Sequence, residues 1–425
     1  MIQSRLHDAA LAVLLAVVAA VMSFSRFVKI PEPVITRDAC VNLLFEGDVP
    51  YVFDSLSSAS DKHHRRSNRH ALFSLVSFPP VRIIQVVTGL PPLSAIRWVV
   101  ALSAGLWAAL LFIVLRLMGC RRLDASLFSV AGILSAASAI WWSIPETWGF
   151  GSIAILAALL IAALSQYRAV HTGWYLAASV LTLGSTTTNW MAGLALKFFS
   201  FPWRRAVKLS LIALAIVAVI LGVEKLFFKA TRIFPRVHYV KGFLFQPESG
   251  GPGDVARVFF LHAMVMPKVE AVSRENRPGE RLTVQHVQAG SAGLLNKISV
   301  GLWVALLSIG GWAIARLKGH RVLRRVVAAT LAGQLLLHFV FGGEETFLYA
   351  LHWIPLLVVV AAFGSLTRAR KLVLGLASVF VLTLAINNHQ QFGRIAQWLH
   401  TNNQCWTGPD VELPAEAQAE NSAVQ

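Results

Sequence analysis

The sequence predicts an all-α polytopic membrane protein of about 11 transmembrane helices, with juxtamembrane helices in a first outer loop. Three observations predict it. Apolar residues make up 56% of the 425 and charged residues only 14%, against about 25% charged in an ordinary globular chain. The apolar residues fall in runs near the roughly 20 residues that a helix needs to cross a bilayer. Lys and Arg concentrate in alternate connectors between those runs, as positive-inside topology requires. A soluble chain with a mean hydropathy of +0.62 could not cover its surface with polar groups.

The elements follow in chain order. Segment 9–29 is apolar, is preceded by Arg5 and is followed by no small-x-small cleavage site, so it reads as an uncleaved first helix with its N-terminus in the cytoplasm. Further runs lie near 95–118, 125–142, 149–165, 174–187, 189–200, 207–228, 295–316, 323–341, 348–366 and 372–387. The connectors assigned to the inside hold Arg121 and Arg122, Arg168, Arg204 and Arg205, Arg321 to Arg325, and Arg368 to Lys371. The short outer connectors 143–148, 187–189 and 342–347 hold no Lys or Arg, but they contain Glu146, Glu344 and Glu345. The alternation holds only if segment 71–90 does not cross. Pro79-Pro80 and Arg82 interrupt it and Pro91-Pro92 ends it, so it reads as a helix lying at the interface.

This gives a transmembrane domain over 1–387, with long outer loops at 30–94 and 229–294, and an extracytoplasmic tail at 388–425 that reads as disordered beyond Pro414. Cys40 and Cys405 fall on the same oxidising face, and the sequence leaves open whether they pair. The net charge of +17 sits in the connectors. It therefore reads as topology signalling, with membrane lipid and not nucleic acid as the partner. No Walker loop, GxGxxG, HExxH or internal repeat occurs, so cytoplasmic nucleotide chemistry has no visible home.

Two stretches concentrate polar groups. The first loop carries Asp38, Glu46, Asp48, Asp54 and Asp61, then a basic and histidine run from Lys62 through Arg65, Arg66 and Arg69 to His70. A carboxylate there can take a proton from a hydroxyl, and guanidinium groups can hold a phosphate at headgroup depth. The bland reading is a solvated loop touching anionic lipid. The second stretch is 341–353, where a helix starting near Glu345 puts Glu345, Tyr349 and His352 on one face. Glu344 and Glu345 suit a helix dipole, whereas His352 lies inside a span and reads either as functional or as a hydrogen-bonded structural residue. Glu146 and Asn189 read as helix caps and His338 as either. In the long loop, Asp254 reads as the cap of an amphipathic helix with Arg257 and His262, lying on the outer leaflet.

The arrangement resembles the GT-C superfamily of membrane glycosyltransferases, which includes the protein O-mannosyltransferases and the lipid A aminoarabinose transferase. The resemblance rests on the first helix, the acidic first outer loop, the stretches Phe45-Glu46-Gly47-Asp48-Val49-Pro50 and Arg69-His70-Ala71-Leu72-Phe73, a second span ending in a basic pair, a long outer loop after the seventh span, and Glu345 to His352. The family usually shows His-Pro where this chain has His70-Ala71. The resemblance implies transfer of a sugar from a polyprenyl-phosphate donor to a hydroxyl of a glycan, lipid or protein acceptor, on the outer face of the inner membrane. It implies Asp48 as general base, with Asp38 as the alternative. Arg66, Arg69 and Arg257 would hold the phosphate and His70 would bind substrate, while Glu345, Tyr349 and His352 would line the opposite wall. No metal ligand set is visible and metal dependence stays open. An O-antigen ligase or polymerase, or a lipid or solute transporter, remain the alternative classes.

Overall fold

Every apolar run identified above is helical. The computed structural model describes residues 2–233, 244, 249–273, 279–341, 344–403 and 405. Among these, six helices are long and apolar enough to cross a membrane: Leu6–Phe27 within α1, Pro92–Leu117 (α5), Trp203–Phe227 (α11), Leu294–Arg316 (α13), Thr346–Leu366, which contains α15 (Ala350–Phe363), and Arg370–Thr401 (α16). The chain is therefore an all-α membrane protein. Between the long helices run α6 (Arg122–Leu134), α7 (Ala136–Trp141), α8 (Trp148–Leu164), α9 (Thr172–Ser185), α10 (Trp190–Ser200) and α14 (Arg321–His338). Helix α1 (Ile2–Phe27) lies along α5, α5 along α8, α10 along α14, and α13 against both α15 and α16. Helix α15 is the centre of the bundle, buried over nearly its whole length.

The first long loop is more structured than its polarity suggests. It holds α2 (Glu32–Thr36), α3 (Val49–Ser57), a 3-10 segment over Lys62–Asn68 and α4 (Phe73–Thr88). Pro79 and Pro80 do not break α4, which continues to a left-handed cap at Gly89. Helix α16 runs past position 387 to Thr401, with Gln391, Phe392, Ile395 and Leu399 buried. Cys40 and Cys405 form a disulfide with a Cα–Cα distance of 5.3 Å, normal for such a bond. The expected disorder beyond Pro414 lies outside the described residues.

Two expectations are corrected. Segment 125–142 is not one helix: Ser135 adopts an extended conformation and divides α6 from α7. The long loop does not lay an amphipathic helix on the membrane surface. Asp254 does accept from the Gly251 N–H at the start of α12 (Pro252–Arg257). The chain then makes a π-helical turn over Val258–His262, and the stretch 262–266 is buried. The two departures have one cause. Breaking the helix frees the N–H groups of Ala136 and Ala137, and these donate to the carbonyls of Met264 and Ala263, both at 2.9 Å. Side-chain amides satisfy the other groups. Asn388 accepts from Met266 N at 2.9 Å and donates to Leu134 O at 2.8 Å and Met264 O at 2.9 Å. Asn296 and Asn387 donate to Met266 O at 2.8 and 3.0 Å. Irregular backbone survives at this depth only when buried protein groups pair it.

Asn388→Leu should therefore destabilise far more than its volume change implies, by about 1–3 kcal/mol per backbone group left unpaired. Thermal unfolding in detergent reads this. A variant that melts with the wild type would show that Asn388 does not hold the segment.

Candidate functional site

The site is built where the first loop meets the turn between α7 and α8. Phe45 and Glu46 take left-handed conformations, with φ of 48° and 60°, unusual for residues with a Cβ. The long loop imposes this turn. Its β2 strand (Glu280–Thr283), paired antiparallel with β1 (Glu270–Ser273), reaches the first loop through Leu282. Leu282 N donates to Leu43 O at 2.9 Å and Phe45 N to Leu282 O at 3.1 Å. Gly47 completes the turn. A Cβ there would stand 3.0 Å from Leu44 O, 3.2 Å from Glu146 Oε1 and 3.3 Å from the Trp141 ring. The absent side chain thus lets the first loop close directly over Glu146.

Asp48 follows at the start of α3. It does not cap the helix, and its carboxylate pairs with Arg66. Arg66 lines a cleft together with His63, His64, His70, Ser74 and Thr147. Beneath it Glu146 is buried, with Oε2 accepting from Thr147 N at 3.1 Å and Oε1 without a hydrogen-bond partner. Burial pushes the Glu146 carboxyl up to about 7, with the Arg66 charge pulling partly the other way. The Arg66 charge thus acts on both carboxylates. His70 is buried and burial pulls it down to about 3, so it is a neutral imidazole. Its Nδ1 lies 2.9 Å from the Ser185 carbonyl. A carbonyl only accepts, which assigns the proton to Nδ1 and the lone pair to Nε2.

Trp148 joins these groups to the centre of the bundle. Its ring lies 5.7 Å from His70, 4.8 Å from Tyr349 and 5.4 Å from His352. Gly151 makes room for this wall: a Cβ there would stand 2.5 Å from His352 Nε2 and 2.7 Å from Asn189 Nδ2. Gln334 Nε2 donates to Asn189 Oδ1 at 3.1 Å. The Trp148 indole nitrogen, Asn189 Nδ2, Gln334 Oε1 and His352 Nε2 are buried with no hydrogen-bond partner. So many open polar atoms around one apolar ring mark a site that a polar ligand or water completes.

Of the residues singled out in the sequence, Asp48, Arg66, His70, Tyr349 and His352 belong to this neighbourhood. Asp38 does not; it stands 3.9 Å from Lys62 and acts electrostatically on Asp54. Arg257 is engaged by Asp254 and by Val287 O at 3.1 Å, within its own loop. The backbone carbonyl of Arg69 accepts from Thr187 N at 3.1 Å, which ties the loop to the end of α9.

Glu345 is separated from its expected partners. The helix does not begin there: Glu345 is extended, and a 3-10 turn covers Thr346–Tyr349 before α15 starts. A 3-10 turn advances about 120° per residue against about 100° in an α-helix, which rotates Glu345 off the Tyr349–His352 face. Its carboxyl is fully buried and accepts from the Thr283 hydroxyl. It belongs to a clasp in which Glu46 accepts from Glu344 N and Glu345 N, both at 3.1 Å, and Arg281 binds Glu46 at 2.9 Å as well as Glu344. Gln285 pairs with the backbone N–H of Thr346 at 2.8 Å. Burial pushes Glu345 up to about 8. The sequence favours a helix cap over a ligand role for Glu146 and Asn189, and it assigns no role to Trp148 or Gln334. The one signal for Glu146 was an acidic outer turn devoid of Lys and Arg.

Because Glu345 keeps its proton to about 8 in the folded state and to about 4.3 when unfolded, its ionisation lowers stability progressively as pH rises across that window. Glu345→Gln copies the protonated form. It should keep the fold at pH 6 and melt higher than the wild type at pH 9, as read by thermal unfolding at both values. A variant that unfolds at pH 6 would show that the charged form holds the clasp.

Comparison of the chain with protein-family models and with curated proteins, and of its fold with solved structures, finds no match.

Proposed function

We propose that the protein is a membrane glycosyltransferase that moves a sugar from a polyprenyl-phosphate donor to an acceptor hydroxyl at the extracytoplasmic face of the inner membrane. The observation that carries this reading is the Asp48–Arg66 pair beside the buried Glu146, with Arg66 and His70 lining a small cleft and Trp148 in ring contact with His70, Tyr349 and His352. Asp48 takes the proton of the acceptor hydroxyl. The freed oxygen pair attacks the anomeric carbon, and the bond from that carbon to the phosphate oxygen breaks. The electron pair leaves with the lipid phosphate, which Arg66 stabilises. In the ground state Arg66 holds Asp48; a phosphate that draws Arg66 away releases the base. The aromatic wall packs against the sugar.

The same reading takes the eleven helical segments, with α6 and α7 counted together, as crossings. The N-terminus is then inside, the end of α16 outside, and α4 lies at the outer interface. Counting α4 as a crossing would invert the alternation of Lys and Arg between the later connectors. Cys40 and Cys405 then share the oxidising side that a disulfide needs.

Two experiments test the proposal. In a background lacking native cysteines, an impermeant maleimide applied outside should label a cysteine placed at Gly89 but not one at Arg122; label at Arg122 would sink the topology. For the chemistry, labelled polyprenyl-phosphate sugars are supplied to membranes containing the protein. Asp48→Asn should reduce transfer by about 10²–10⁴ at unchanged protein level. The rate should fall as pH rises through about 7, since an ionised Glu146 competes with the donor phosphate for Arg66, and Glu146→Gln should remove that fall. Wild-type turnover in Asp48→Asn would exclude Asp48 as the base.

A further inference from the structure

A second polar group lies in the same loop and shares His63 with the lining of the cleft. Asp54 stands in the last turn of α3, and Asp61 and His63 open the following 3-10 segment. One ligand atom from each comes within 4.8 Å of the others. His63 is only 2% exposed. Its ring is held in place by stacking on Tyr51, with centroids 4.0 Å apart and planes at 18°. Asp61 is fixed by the His63 backbone N–H, which donates to Oδ1 at 2.7 Å. The His63 Nδ1 atom points between the two carboxylates, 3.0 Å from Asp61 Oδ1 and 3.7 Å from Asp54 Oδ2, yet makes a hydrogen bond with neither.

A buried imidazole nitrogen facing two carboxylate oxygens without a hydrogen bond is an incomplete arrangement. A proton on Nδ1 serves Asp61 Oδ1 at 3.0 Å at most and leaves Asp54 Oδ2, at 3.7 Å, beyond its reach. A metal ion serves all three. Ligands about 2.0–2.2 Å from one ion stand about 3–3.6 Å from each other, close to the two separations seen. One imidazole nitrogen with two carboxylate oxygens is a donor set suited to zinc and its first-row neighbours, whereas magnesium prefers oxygen alone. We propose that Asp54, Asp61 and His63 form a binding site for a first-row divalent cation of the zinc type. Asp54 is partly exposed, so water can supply the remaining ligands. This goes beyond the transfer reading and does not depend on it.

The test uses the full-length protein in detergent, stripped with a chelator and titrated with Zn²⁺ by calorimetry, with Mg²⁺ as control. One saturable Zn²⁺ per chain is expected, together with a higher unfolding temperature and no comparable effect of Mg²⁺. Asp54→Asn should weaken binding at least about tenfold, and His63→Gln by about ten- to a hundredfold, a range taken from perturbed metal sites. Asp61 is left intact because it also caps the 3-10 segment. Asp54→Asn alters a side chain with no capping role, so it decides the question if His63→Gln does not fold. Absence of saturable binding to the folded wild type, or binding unchanged in Asp54→Asn, overturns the site.

Discussion

Backbone that is buried without being helical must find its hydrogen-bond partners inside the protein. The rest of this structure depends on how that constraint is met around Ser135. The break between α6 and α7 exposes two N–H groups, and the segment ending at Met266 is the strand-like piece that answers them. Three asparagines from α13 and α16 hold that piece in register. Two tryptophans reinforce it: Trp353 Nε1 donates to Phe259 O and Trp303 Nε1 to Phe260 O. With the long loop anchored so deeply, its later part emerges beside the first loop. Leu282 then forces the left-handed turn at Phe45 and Glu46 that sets Asp48 at the head of α3.

The disulfide closes the same circuit from the other side. Cys40 precedes the turn, and Cys405 follows the helix that carries Asn387 and Asn388. A bond across 365 residues of sequence removes more freedom from the unfolded chain than a short-range one could, on the loop-entropy account. The first loop is thus held by a covalent bond near Cys40, by backbone pairing at Leu43 and Phe45, and by the Glu46–Arg281–Glu344 clasp. A loop fixed at three points can present a carboxylate with the precision that a rigid element would give.

What the sequence made legible divides along physical lines. Helices were legible because hydropathy reports burial in lipid directly, and all eleven runs are helical. The basic and histidine run of the first loop was legible because many such groups at one membrane depth are costly without a reason. The stripe from Glu345 to His352 was half legible: its inner members share a wall, but a single 3-10 turn changes the helical phase and sends Glu345 to Thr283. Glu146 was not legible, since its burial comes from the approach of Gly47, a contact across about a hundred residues that no local pattern records. The Cys40–Cys405 pair and the insertion of the stretch 258–266 are long-range in the same sense.

Those non-local contacts decide the electrostatics of the site. Glu146 in an open turn would titrate as an ordinary carboxylate; under Gly47 and beside Trp141 it loses water and holds its proton to about 7. Arg66 offsets that loss only partly, because its nearest partner is Asp48. The charge of the trio therefore depends on where Arg66 points. Facing Asp48, it leaves that carboxylate ionised and Glu146 near its midpoint. Drawn towards an anion in the cleft, it leaves both carboxyls with less compensation, and the more buried Glu146 answers by taking a proton. An anionic ligand in the cleft would then be accompanied by a proton on Glu146, which would spare the occupied cleft a second uncompensated buried charge. Only a glycine at position 47 lets the loop sit close enough for that coupling, since any Cβ would meet Glu146 and Trp141 at about 3.2–3.3 Å.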